Sequence, residues 1–266
     1  MSLEPDALKE PLALTTITTC VHNMRRYLPS AIASVFAQTS THFEYLILDD
    51  GSTDGTWDYL KTFQNHPRIR LLRHSTRQGL CVCRNQMLES AQGEYLSILD
   101  ADDILTPHKV QLHAEILAAD PNVGVVWGRS IVTGDDSFLL PPEGFEPGWD
   151  LLTPYQATHS STTWRKSALI RAGGYDPRWT HVEAPDLFLK VGDRWKQVFS
   201  PAVVTLKRLL RDNEFRTDLA NAQSYFSLQL LQHTLRRRYG TNAKYLEEKL
   251  FNQPTPKLSH YPFSII

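Results

Sequence analysis

Two apolar runs that each end in aspartate constrain this chain more than any other feature. Phe43 to Leu48 (FEYLIL) leads into Asp49-Asp50-Gly51-Ser52-Thr53-Asp54-Gly55-Thr56, and Tyr95 to Leu99 (YLSIL) leads into Asp100-Ala101-Asp102-Asp103. Short apolar runs bounded by turn residues predict buried strands. Leu14 to Cys20 (LTTITTC), rich in β-branched residues, predicts another, as do Ile69 to Leu72 and Val123 to Trp127. Helices are expected between them: from Leu28-Pro29 through Gln38, near Trp57 to Gln64, from Gly79 to Ala91, and from a Thr106-Pro107 cap to Ala119. Strands alternating with helices across short loops predict a largely parallel α/β sheet with helices on both faces. Ligands of such sheets bind at the carboxyl ends of the strands. Both acidic clusters sit at such ends, so one pocket can hold both although about fifty residues separate them.

After Gly134 the pattern changes. Residues 134 to 150 are rich in Gly and Pro and are expected to form a loop. Arg165 to Ala172 and Glu183 to Val191 predict short helices, Val198 to Leu206 holds strand-like runs, and Gln223 to Tyr239 predicts an amphipathic helix. That helix ends in Arg236-Arg237-Arg238, which complements a helix dipole. A membrane-surface contact is the sharper alternative for the same run.

The carboxylates carry the chemistry. Asp100 and Asp102, at i and i+2 beyond a strand, are acceptor-only oxygen ligands of the kind that hard divalent ions such as Mg²⁺ or Mn²⁺ prefer. A solvated turn with an Asx cap is the plainer alternative. Asp50, Ser52, Asp54 and Gly55 imitate the start of an EF-hand loop, but Lys61 stands where the bidentate Glu is required, so calcium is rejected there. The phosphate loop, the dinucleotide fingerprint, the nucleophile elbow and the zinc-protease motif are all missing from the sequence.

Composition narrows the class further. The chain has 266 residues, 41% of them hydrophobic, which is enough for one large α/β domain or two small ones. A formal net charge of -1 gives no global field for nucleic acid. The three cysteines, Cys20, Cys81 and Cys83, form no disulfide framework and point to a reducing, cytoplasmic compartment. No apolar run reaches the ~18 residues of a membrane span. The acidic N-terminus lacks a secretion-signal core. A peripheral contact with the inner face of a membrane stays open.

Several spaced blocks fall into one known order: TTITTCVHN, AIASVFAQTSTHFEYLILDDGSTDGT, QGLCVCRNQMLESAQGEYLSILDADD, GGYDP and EAPDLFLKV. Over roughly residues 14 to 192 the chain resembles the inverting glycosyltransferases of family 2 with the GT-A fold. The resemblance implies a Rossmann-like, mostly parallel sheet flanked by helices, with a C-terminal helical extension. It implies a leader over 1–13, a nucleotide-binding half over 14–133, an acceptor-side half of the same domain over 134–213 and the extension over 214–266.

It also implies roles. His22 stands where the family often has a Tyr that packs on the nucleotide base, and Asp50 where an acid contacts that base. Arg84 matches a basic position near the nucleotide. Asp100 and Asp102 match the Asp-x-Asp that holds ribose and metal, and Asp103 fits a structural carboxylate or cap better than a ligand. The catalytic-base block departs from the pattern, because Ala184 stands where the family's Asp takes the acceptor proton. Glu183 is then the first candidate base, Asp186 the second and His181 the third. Arg211 is a further candidate, for a phosphate contact or an exposed turn. The implied reaction moves a sugar from a nucleotide-diphosphate donor, UDP favoured, to a hydroxyl of a glycan, lipid or cell-envelope polymer, with Mg²⁺ or Mn²⁺ as cofactor. A degenerate protein that binds nucleotide-sugar without transferring it is the alternative that Ala184 motivates.

Overall fold

The computed structural model describes residues 12–133, 137–141, 143, 157–179, 182–208, 229–240 and 243. Its first half is the expected alternation: β1 (Thr15–Val21), α1 (Leu28–Phe36), β2 (Phe43–Asp50), α2 (Thr56–Lys61), β3 (Ile69–His74), α3 (Leu80–Ser90) and β4 (Tyr95–Ile98). Then follow β5 (Ile104–Leu105), α4 (Lys109–Ala119), β6 (Val123–Thr133), β7 (Phe138–Leu140), β8 (Thr162–Arg165), α5 (Lys166–Arg171), α6 (Glu183–Gly192) and β9 (Lys196–Arg208). A further helical segment spans 229–239.

The strands form one sheet in the order β3-β2-β1-β4-β8-β6-β9-β5, with β7 paired to β6. β1, β2, β3 and β4 run parallel, and in-register pairing sets Val21 beside Asp49 and Asp50 beside His74. Their carboxyl ends therefore share one rim, and strand order reverses direction at β1, where β4 adds on the other side. That reversal opens a crevice between the loops after β1 and β4, the expected ligand position. β1 and β2 are almost wholly buried, and Ile17, Tyr45 and Ile47 pack with Leu28, Ile32 and Val35 of α1 in one cluster. On the opposite face Leu46 and Leu48 pack with Cys83 and Met87 of α3.

Four sequence expectations need correction. β8 is a strand that the sequence pattern missed, and it runs antiparallel to both β4 and β6. Ser160, Ser161, Thr162 and Thr163 are all completely buried, so the entry to β8 carries no apolar signature. Its polarity is satisfied internally: His113 Nδ1 lies 2.9 Å from Thr163 Oγ1, and Trp164 Nε1 donates to Thr162 Oγ1 at 2.7 Å. β7 lies within the stretch expected to be loop. Thr106 does not cap α4, since His108 is the residue before the helix and no side chain caps it. Instead Thr106 donates from Oγ1 to Val203 O at 3.0 Å, which anchors the end of β5 to β9. Val123 to Trp127 is only the first part of a longer strand, β6.

The arginine run does more than complement its own helix. Arg238 donates to Asp193 Oδ1 at 2.7 Å and to Leu189 O at 3.0 Å, and Arg237 also pairs with Asp193. The run thus docks the 229–239 segment on the C-terminal turn of α6. No helix among the described residues is long and apolar enough to cross a membrane. The His181 and Arg211 candidates, most of the 134–150 stretch and most of the C-terminal extension lie outside the described residues.

Candidate active site

The rim is laced together by its own loops. His22, just past β1, donates from Nδ1 to the Asp50 carbonyl oxygen at 2.8 Å, and Asn23 Nδ2 lies 3.3 Å from the other ring nitrogen. Asn23 N donates to Ser52 Oγ at 2.9 Å, and Thr53 N returns a bond to Asn23 Oδ1 at 2.8 Å. Asp54, the residue that imitated a calcium ligand, accepts from Arg25 N and from the backbone and hydroxyl of Thr56. It is consumed as a loop brace and N-terminal anchor of α2. Gly51 sits at φ +70°, and an added Cβ would lie 2.8 Å from Arg77 N, so only glycine fits that turn.

The Asp50 carboxylate, 2% exposed, faces inward from this loop. Oδ1 accepts from His74 Nδ1 and from Gln78 N, both at 2.8 Å, and Oδ2 accepts from Gly79 N at 2.9 Å. Burial opposes ionisation, but these three donors outweigh it and hold the carboxyl below its ordinary range.

The second acidic cluster centres on Arg84. This guanidinium, buried in the first turns of α3, donates from Nη1 to Glu183 Oε1 at 2.7 Å and from Nη2 to Asp100 Oδ1 at 3.1 Å. Tyr175 covers it, with the ring centroid 5.4 Å from Cζ. Burial pushes the Asp100 carboxyl up, but Arg84 and nearby cations more than reverse this, and it stays ionised below the usual range.

Asp102 is different. No hydrogen bond to its carboxylate comes from another described residue. Its carboxyl is pushed up to about 6, first by burial and then by repulsion from Asp103 and Asp100, with Lys207 opposing. Asp103 has a structural role: Oδ2 accepts from Ser160 Oγ at 2.6 Å and Oδ1 from Arg208 N at 3.0 Å. The Asp-x-Asp pair thus has one carboxylate held by arginine and one open to a cation. That donor set suits a hard divalent ion, which binds one or two carboxylates and completes its shell with water and phosphate.

The first and second candidate bases separate. Glu183 starts α6 at the Arg84 bridge, whereas Asp186 is buried and pairs with Lys190 at 2.6 Å. Ala184 contributes no polar group. Several residues that complete the site escaped the sequence reading. Ser160 accepts from Asp100 N at 3.0 Å while donating to Asp103. Lys109 Nζ donates to Ile98 O and Ser160 O beneath the cluster, and burial pushes its pKa down to about 7. His159 Nε2 meets Tyr175 OH at 3.0 Å. One signal was available: Lys109 and His113, spaced i and i+4, share the apolar face of a helix with Val110, Ala114 and Leu117.

The mixed sheet with flanking helices is the GT-A glycosyltransferase fold, and solved structures share it. Staphylococcus aureus TarS in complex with UDP superposes with a TM-score of 0.68 at 16% identity, covering 92% of this chain and 74% of that one. A Pyrobaculum calidifontis mannosyltransferase, in complex with GDP-Man and Mn²⁺, superposes at 0.60 and 17% identity, covering 96% and 83%. The profile described as glycosyl transferase family 2 matches residues 16–176, and the chain belongs to that family.

Among curated relatives, TuaG of Bacillus subtilis, a glycosyltransferase named for teichuronic acid biosynthesis, is 33% identical over 135 residues. That alignment covers 49% of this chain and 54% of TuaG. Chondroitin synthase of Pasteurella multocida is 26% identical over 186 residues, covering 68% of this chain and 19% of that protein. The aligned region therefore spans 54% and 19% of these two relatives' own lengths.

Proposed function

We propose that this chain transfers a sugar, with inversion, from a nucleotide-diphosphate donor to a hydroxyl of a glycan, lipid or cell-envelope polymer. The observation that carries this reading is Arg84, which binds Glu183 and Asp100 together and so joins a candidate proton acceptor to the Asp-x-Asp pair. UDP is the favoured nucleotide. The base is received at the rim where the His22 ring meets Asp50. Asp102, helped by Asp100, would hold Mg²⁺ or Mn²⁺. Such an ion neutralises charge on the leaving diphosphate.

Glu183 takes the acceptor proton through the oxygen that Arg84 leaves free. Pairing with Arg84 orients the carboxylate. Asp186 is the second candidate. Its ion pair with Lys190 and its burial make it the less accessible of the two. The Lys109 contacts to Ile98 O and Ser160 O fix the floor on which Asp100 and Asp103 stand.

The test is a panel of UDP- and GDP-sugars with Mn²⁺ and a mixture of glycan and lipid-linked acceptors. Product of inverted anomeric configuration supports the reading. Donor binding with neither hydrolysis nor transfer would instead establish the degenerate, non-catalytic protein that Ala184 motivates.

A further inference from the structure

Away from the Asp100–Asp102 pair, the chain gathers a second and chemically different set of ligating atoms. The side chains of Asp50, His74 and Cys83 each offer one such atom, and all lie within 4.8 Å of one another. They come from the end of β2, the end of β3 and the first turn of α3, three rigid elements packed in one cluster. We propose that Asp50, His74 and Cys83 form a metal site for a thiophilic borderline ion of the zinc class.

The donor types select the ion. Mg²⁺ and Ca²⁺ take oxygen ligands, whereas a mixed thiolate, imidazole and carboxylate set favours Zn²⁺ and its spectroscopic substitute Co²⁺. Zinc bonds of about 2.0 to 2.3 Å in a tetrahedron set ligand atoms roughly 3.3 to 3.8 Å apart. His74 Nδ1 lies 3.8 Å from Cys83 Sγ and 2.8 Å from Asp50 Oδ1. Only the second of these must open, from a hydrogen bond to shared coordination.

Supporting contacts are already in place. His74 Nε2 lies 2.6 Å from Gln86 Oε1, so the far ring nitrogen keeps its own proton when Nδ1, turned to the cluster, gives up the one it donates to Asp50. Gly79 N holds the other Asp50 oxygen at 2.9 Å. Cys20, near the end of β1 and only partly buried, packs against the same cluster as Cys83, and the fourth position is left to a water. Binding involves no redox change. The ion displaces one proton from His74 Nδ1 and one from the Cys83 thiol, and both pass to buffer. An occupied site would lock the 76–79 turn to α3 through Asp50. The proposal does not depend on the sugar-transfer reading.

The experiment is a titration of the full chain with Co²⁺ under phosphine reductant, followed by the thiolate-to-cobalt charge-transfer band. One equivalent is expected to produce the band. Cys83→Ser is expected to abolish it, and His74→Gln to weaken affinity about tenfold or more. Cys81→Ser and Asp102→Asn are expected to retain it. Because Asp102→Asn removes the proposed oxygen-ligand site, loss of Mn²⁺-dependent donor binding there with the band intact separates the two readings. X-ray absorption on zinc-loaded wild type gives a measurement independent of any variant, with at least one sulfur at about 2.3 Å expected. A missing band in wild type, a band that survives Cys83→Ser, or an oxygen- and nitrogen-only zinc shell overturns the site.

Discussion

Glu183 at the start of α6 accepts a 2.7 Å hydrogen bond from Arg84 in α3, although 99 residues separate them in sequence. The same guanidinium reaches Asp100 beyond β4, so a single buried cation sets the relative positions of three elements. Replacing it exposes two carboxylates to each other without compensation. Breaking a buried pair by removing one partner costs about 3 to 5 kcal/mol. Arg84→Met is therefore expected to lose roughly 3 kcal/mol in urea denaturation, and Arg84→Lys, which cannot span both acids, about half that. Stability within experimental error of wild type for Arg84→Met would show that the bridge is not formed in solution.

Glu183→Gln tests the base without dismantling the bridge, because the amide oxygen still accepts from Arg84. Turnover is expected to fall by about a hundredfold or more while donor Kd changes little. Steady-state rates beside calorimetric donor affinity check both halves. Unchanged turnover would move the proton acceptor elsewhere, with Asp186→Asn as the next variant.

Asp102 supplies a pH dependence whose sign is fixed. Its carboxyl is raised to about 6 in the folded chain, so a proton competes with a divalent ion below that value. Mn²⁺ affinity is expected to be flat above pH 7 and to weaken about tenfold per unit below about 6. The stability effect runs the other way. A carboxyl whose folded pKa is raised destabilises the fold above that pKa, and the penalty is relieved as pH falls toward the unfolded value. Without metal, Asp102→Asn is expected to gain on the order of 1 kcal/mol at pH 7.5 and nothing near pH 4. Thermal melts at the two pH values, without and with Mn²⁺, decide it, and an Asp102→Asn protein less stable than wild type at pH 7.5 without metal would contradict the repulsion account.

Gly51→Ala probes the first loop. Its φ of +70° and the 2.8 Å approach of Arg77 N leave a methyl group nowhere to go. Backbone strain of this kind costs about 1 to 3 kcal/mol. The loop it distorts carries Asp50 and Ser52, so donor affinity is expected to fall together with stability. Fluorescence-monitored urea unfolding and a donor titration on one preparation test this, and a stability loss with intact donor binding would detach the loop from the nucleotide.

The first half was legible because its signals are local. Apolar runs that end in acid gave β2 and β4 in place, and the Asp-Gly turns followed from ordinary turn chemistry. The rest depended on partners far along the chain. Ser160 and Thr163 look like loop residues, yet both are fully buried, because His113, Asp103 and Asp100 satisfy them from α4 and the β4 rim. No periodicity in the sequence encodes that kind of burial. The Asp50 carboxylate shows the same limit from the other side. Its residue number was readable, but the three donors that hold it come from β3 and the turn before α3. Glu183 was singled out by the gap at Ala184, whereas its bond to Arg84 becomes visible only when α3 and α6 are packed.

The antiparallel course of β8 has a consequence for how such a site can diversify. In a sheet wound only one way, the rim receives chain departing from strands. Here β8 brings chain inward at the rim that β4 leaves, with Ser160 seated between Asp100 and Asp103 just before the strand begins. Lengthening or shortening the preceding excursion therefore pulls on the floor of the acidic pair without disturbing β1, β2 or β3. Under the proposed sugar transfer, such variation would reach the acidic pair through Ser160 before it reached the loops after β1 and β2.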